Sequence, residues 1–180
     1  MTWRVYVRWL VPLIIFAVLV GFLYVGLSLR PHELPSALID KPVPRFSIPS
    51  LTPGGPTMDD RLLSSAGGPI LVNVFASWCA PCRIEHAELM RLAAKGVPIY
   101  GINYKDRPAA GRAYLQQTGN PYRATGADLD GRVAMEWGVY GVPETFVIDG
   151  HGRIIFKHVG PLTRQAYNES IAALLKPGTL

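Results

Sequence analysis

An α/β fold, with a central mixed β-sheet flanked by helices and one membrane-spanning helix before it, is what the sequence predicts, and three observations carry it. "PILVNVFAS" (69–77) and "VPIYGINYK" (97–105) are unbroken β-branched and aromatic runs, the pattern of strands buried on both faces. The segment between them, 80–95, has helical spacing, with Cys82, His86, Leu89, Met90 and Ala93 on one face. "ETFVIDGHGRIIFKHVG" (144–160) alternates around Gly-His-Gly, as a β-hairpin does. Strand, crossover helix and strand imply a parallel pair with right-handed connection, and the hairpin adds antiparallel strands, so the sheet is mixed.

The elements follow in order. Residues 1–8 form a short basic N-terminus with Arg4 and Arg8, and 9–29 lack any charged side chain. At about 1.5 Å per residue that stretch spans roughly 31 Å, enough for a bilayer core. Pro12 sits in the first turns, where its missing N–H costs least, and no small-x-small cleavage site directly follows Leu29. The arginine bias keeps the N-terminus cytoplasmic and puts everything after residue 30 outside, so a single-pass membrane protein with an external domain is expected. Residues 30–57, with seven prolines and "TPGGP" at 52–56, read as a tether with a short edge strand near "RFSIP". The folded domain is then 58–176, its core beginning after residue 67. Gly96 stops the helix of 80–95, a second helix follows Pro108, a short one covers "GRVAMEWG" (131–138), and "LTRQAYNESIAALL" (162–175) closes the chain as a helix capped by Thr163.

Composition excludes some partners. The net charge of +5 includes Arg4, Arg8 and Arg30, which leaves 15 basic against 13 acidic residues in 31–180. No basic run with interleaved aromatics is present, so no nucleic-acid partner is expected.

Both cysteines lie in "FASWCAPCRIEH" (75–86). Zinc asks for about four ligands, and His32, His86, His151 and His158 have no paired metal-ligand spacing. Covalent haem attachment needs His after the second cysteine, where Arg83 stands. A disulfide closing so small a ring adds little stability. A redox pair asks for less: after a buried strand, Cys79 falls at a helix N-terminus, where the dipole and free N–H groups favour a thiolate. Cys79 is then the exposed attacking sulfur and Cys82, one turn in, the protected resolving one. Pro81 is tolerated in the first turn and stiffens the link. No metal and no cofactor beyond the Cys79–Cys82 redox disulfide is expected.

On "FASWCAPC" after a buried strand and "GVP" some sixty residues later, the chain resembles the thioredoxin-like proteins. "NVFASWCAPCRIEH", "GINYKD" and above all "WGVYGVPETFVIDGHGRI" narrow the resemblance to the membrane-anchored cytochrome c maturation thioredoxins of the CcmG/DsbE type. The resemblance implies a periplasmic reductant of the C-x-x-C-H disulfide of apocytochrome c, or of its thiol-handling partner, itself re-reduced by a transmembrane thiol reductase of the DsbD or CcdA kind. It makes Pro143 a cis-proline against the sulfurs, gives Val142 the role of pairing with extended substrate, and puts Glu144 near Cys79 as a group that raises the thiol pKa and moves protons. Trp78 becomes a partly exposed platform, with core packing as its alternative. Glu85 is a second proton-transfer candidate, or a surface residue that caps the helix or pairs with Arg83 or Arg91. Asn73 stands where thioredoxins carry a buried Asp, which leaves Glu144, Glu85 or water to serve Cys82. A membrane-anchored reductase of other extracytoplasmic disulfides, a thiol chaperone and a copper relay are the competing readings.

Overall fold

The computed structural model describes residues 3–28 and 37–175. The chain divides into two units, Met1–Leu34 and Pro35–Leu180. In the first, Trp3–Ser28 form a 26-residue helix (α1) with Pro12 inside it. Its side chains from Trp9 to Tyr24 are exposed. Among the described residues no helix is long and apolar enough to cross a membrane, and the span expected over 9–29 runs into residues outside them.

The second unit is built on a sheet of six strands: β1 (Lys41–Pro42), β4 (Ile70–Phe75), β5 (Ile99–Tyr104), β6 (Ala124–Asp128), β7 (Glu144–Ile148) and β8 (Arg153–Val159), in the order β1-β8-β7-β4-β5-β6. β4–β5 and β5–β6 are parallel, and β4–β7, β7–β8 and β1–β8 are antiparallel. β2 (Ser47–Ile48) and β3 (Met58–Asp59) pair as a separate ribbon. The connecting helices are α2 (Asp60–Ser64), α3 (Ala80–Ala94), α4 (Pro108–Thr118) and α5 (Arg132–Glu136). After Thr163, whose hydroxyl accepts from Ala166 N, one turn, α6 (Arg164–Ala166), widens into a π-helical turn over Tyr167–Ile171 in place of a regular helix to 175.

β4 lies mid-sheet because all six of its side chains are apolar or find polar partners inside, and all six are buried. Alternation sends Ile70, Val72 and Val74 to one face, with Phe46, Met58, Trp137 and Phe146, and Leu71 and Phe75 to the other, with Leu89, Leu92, Tyr114 and both cysteines.

Two expectations are corrected here. The proline-rich segment is not a tether up to residue 57, because Val43, Phe46, Ile48 and Leu51 are core residues and β1 pairs with β8. The core therefore starts well before residue 67. β6 was not foreseen: "ATGAD" carries almost no apolar pattern, and its Gly126 is a close-approach position, where an added Cβ would lie 2.4 Å from Ile48 Cδ1.

Candidate active site

Cys79 and Cys82 form a disulfide where β4 hands over to α3. Cys79 is the N-cap of α3, and its Sγ accepts a hydrogen bond from Cys82 N at 3.1 Å. A backbone donor aimed at that sulfur, together with the helix dipole, stabilises negative charge there and nowhere else in the pair. Pro81 occupies the first helical turn, where no intrahelical bond is lost. Contrary to the expected exposure of Cys79, both cysteines are buried, at 3% and 2%. Trp78 is what stands in solvent beside them, 58% exposed, its indole N–H donating to Lys105 O at 3.1 Å.

Asp106 holds the loop that leads into Cys79. Its carboxylate accepts from Ser77 N (2.7 Å), Ser77 Oγ (2.9 Å) and Asn103 Nδ2 (3.0 Å). The Val142–Pro143 peptide is cis, as expected, and the Val142 carbonyl oxygen lies 3.5 Å from Cys79 Sγ.

Behind the disulfide lies a buried polar chain. Tyr122 OH donates to Asn73 Oδ1 (2.8 Å), and Asn73 Nδ2 donates to Glu85 Oε1 (2.8 Å) and to Thr145 Oγ1 (3.0 Å). The second carboxylate oxygen of Glu85 accepts from Leu162 N at 2.8 Å. Glu85 is therefore no surface residue paired with Arg83 or Arg91. It is 1% exposed, one helical turn beyond Cys82, and burial pushes its carboxyl up to about 7 against the two hydrogen bonds that favour its anion. Burial likewise raises the Tyr122 phenol, which stays a neutral donor.

Glu144 is the main correction. Thr145 shares the Asn73 side of the sheet, so period-two alternation sends Glu144 to the opposite face from the cysteines. There it is 1% exposed, its Oε1 accepts from Tyr140 N (2.9 Å), and its Oε2 ion-pairs with Lys157 Nζ (2.9 Å). The structure thus gathers Cys79, Cys82, Asn73, Pro81, Glu85, Trp78, Val142 and Pro143 about one sulfur pair and leaves Glu144 behind the sheet. Sequence reasoning missed Asp106, Tyr122, Thr145, Leu162 and Lys157. "GINYKD" and the alternation of "ETFVID" signal the first and third; Tyr122 and Leu162 lie in loops with no pattern.

A disulfide at a strand-to-helix junction, capped by a backbone N–H and backed by a buried carboxyl, defines the class: a thioredoxin-like thiol:disulfide oxidoreductase. The Redoxin family model matches residues 39–175. The chain is 46% identical to the thiol:disulfide interchange protein DsbE of Allochromatium vinosum, over 93% of this chain and 92% of that protein. It is 42% identical to DsbE of Escherichia coli K12 (92% and 91% covered) and 41% identical to the thiol:disulfide interchange protein HelX of Rhodobacter capsulatus (91% and 93%). Among solved structures, a putative DsbE from Chlorobium tepidum superposes with a TM-score of 0.61 at 25% identity, over 75% of this chain and 96% of that one. The chain belongs to the Redoxin family, and within it to the DsbE-type thiol:disulfide oxidoreductases.

Proposed function

We propose that this oxidoreductase works reductively in cytochrome c maturation, on the C-x-x-C-H disulfide of apocytochrome c or of its thiol-handling partner. The observation that carries the reading is that the loop of "GVYGVPETF" brings the Val142 carbonyl to 3.5 Å from Cys79 Sγ, where an extended peptide can add its own backbone. The Cys79 thiolate attacks one substrate sulfur, forming a mixed disulfide and expelling the other as thiolate. Cys82, deprotonated by Glu85, then attacks Cys79 Sγ; the second substrate thiol leaves, and two electrons have passed from the Cys79–Cys82 dithiol to the substrate. Glu144, ion-paired on the far face, takes no part in the proton transfer. A transmembrane thiol reductase of the DsbD or CcdA kind returns the electrons, and residues 9–29 anchor the domain on the periplasmic side of the inner membrane.

Trapping tests it. Cys82→Ser stops the reaction at the mixed disulfide, and an oxidised C-x-x-C-H peptide should accumulate on Cys79 faster than a scrambled peptide that keeps both cysteines. Equal trapping of the two peptides would make the chain an unselective reductase of exported disulfides.

A further inference from the structure

The face of the sheet away from the cysteines carries a second buried ionic assembly that thiol exchange does not use directly. Lys157, in the middle of β8, is a cation whose side chain is 4% exposed. Its ammonium ion-pairs with Glu144 Oε2 at 2.9 Å, donates to Gly138 O at 2.7 Å and lies 4.5 Å from the centre of the Tyr140 ring. Glu144 Oε1 in turn accepts from Tyr140 N at 2.9 Å. Gly138 and Tyr140 are thereby tied to the sheet through one carbonyl, one amide and one ring face. Two residues further on, Val142 presents its carbonyl to Cys79, and the other end of that dipeptide is held by Gly160 N, which donates to Pro143 O at 3.0 Å.

Without the ionic assembly, residues 138–142 would keep the bonds that Gly138 N and Val139 N donate to Met135 O and Ala134 O, and the packing of Val139 and Val142 on the core, but Gly138 O would lose its donor and Tyr140 N its acceptor, which frees the middle of the loop. A glycine-bounded loop of that kind samples many conformations, and each lost restraint on the acceptor edge lowers the fraction of encounters in which a peptide disulfide lies in line with Cys79. Burying a lysine is costly unless its charge is fully met, and here it is met by this loop, by the carboxylate that holds the loop and by the face of the Phe146 ring at 5.6 Å. Tyr140 is 80% exposed: its ring has one face on the ammonium and presents the rest to solvent.

We propose that Lys157 is a positioning residue for exchange with extended substrates: through Glu144, Gly138 and Tyr140 it fixes the loop whose Val142 edge receives the substrate backbone. The proposal rests on thiol–disulfide exchange and not on which protein is reduced. It predicts that small disulfides, which need no backbone docking, depend on Lys157 far less than peptides do.

The test uses Lys157→Met, which leaves the Glu144 charge unmatched; Lys157→Met with Glu144→Gln, which removes both charges and keeps an acceptor for Tyr140 N; and Lys157→Arg, which restores a cation. Each reduced protein is mixed with an oxidised C-x-x-C-H peptide, its scrambled counterpart and 2-hydroxyethyl disulfide. In the doubly substituted chain the ratio of the peptide rate constant to the hydroxyethyl disulfide rate constant should fall roughly tenfold or more, through KM, and Lys157→Arg should recover most of it. Because the ratio is taken within one variant, a loss of folded protein cancels from it. A ratio unchanged by Lys157→Met/Glu144→Gln would overturn the proposal. The comparison of the two peptides on the unsubstituted chain tests the substrate reading separately.

Discussion

Burial raises Glu85 to about 7 from an ordinary 4.5, so folding and proton binding are linked at this side chain. The folded state holds the proton where the unfolded chain has released it. The contribution to stability is thus complete below about pH 4.5 and is lost as pH rises through about 7, a difference of about 3 kcal/mol. Asp128, raised by burial, adds a fall of the same sign, and Glu88, lowered chiefly by its hydrogen bond from Arg91, opposes it. The difference between wild type and Glu85→Gln isolates the group. In urea unfolding of the oxidised protein, where no thiol titrates, that difference should shift by about 3 kcal/mol between about pH 4 and about pH 8 in favour of Glu85→Gln at the higher pH. A difference that stays flat with pH would mean that Glu85 is an ordinary carboxylate and no proton acceptor for Cys82. Asp106→Ala is predicted to cost about 2–4 kcal/mol, since it strips a charged acceptor from Ser77 N, Ser77 Oγ and Asn103 Nδ2 at once. Thermal unfolding measures it, and a cost below about 1 kcal/mol would show the Ser77 loop held by other contacts.

At the scale of elements, the proline-rich segment carries more of the fold than its composition suggests. Val43, Phe46, Ile48 and Leu51 are all buried, and at about 1.5–3 kcal/mol each they supply some 6–12 kcal/mol, comparable to the whole net stability of a domain. A chain starting near residue 58 should fail to give a cooperative unfolding transition, whereas one starting near residue 37 should unfold cooperatively. Gly126→Val should destabilise by about 1–3 kcal/mol or more, because Ile48 has nowhere to move inside a packed layer. The parallel pair, the cysteine junction and the hairpin were legible because long apolar runs and period-two alternation are strong local signals. β1, β2 and β3 are two residues each and β6 is made of small and polar residues, so their pairing is decided by partners far away in the chain. The site divides the same way. Cys79 and Cys82 follow from position in the element, while Glu85 reads as a surface helix residue until Asn73 and Leu162 N are seen to meet it. The misplacement of Glu144 was avoidable, since "ETFVID" already alternates and Thr145 shares a face with Asn73.

For the whole molecule, the near-neutral domain has little electrostatic pull of its own on a bilayer, so the anchoring proposed above rests on the N-terminal apolar stretch. The full chain should stay with bacterial membranes through an alkaline carbonate wash and be digested by protease added to spheroplasts. A chain starting near residue 37 should be recovered entirely in the soluble fraction. Retention of that shorter chain on membranes would move the attachment into the folded domain.

Thr145 and Glu144 are neighbours on β7 that face opposite ways, and the sheet between them acts as insulation. One side holds Asn73, Glu85 and the sulfurs; the other holds Lys157 and Glu144, and among the described residues these two side-chain groups share no hydrogen-bond partner, the loop reaching the sulfurs through the Val142 carbonyl alone. Changes on the two sides should then combine as independent factors, so that the product of the Glu85→Gln and Lys157→Met/Glu144→Gln effects on peptide exchange predicts the combined variant within about twofold. On the function proposed above, reducing strength and choice of substrate are two dials on separate shafts. A lineage can retune how readily the dithiol gives up its electrons while keeping its client, or change client at constant driving force.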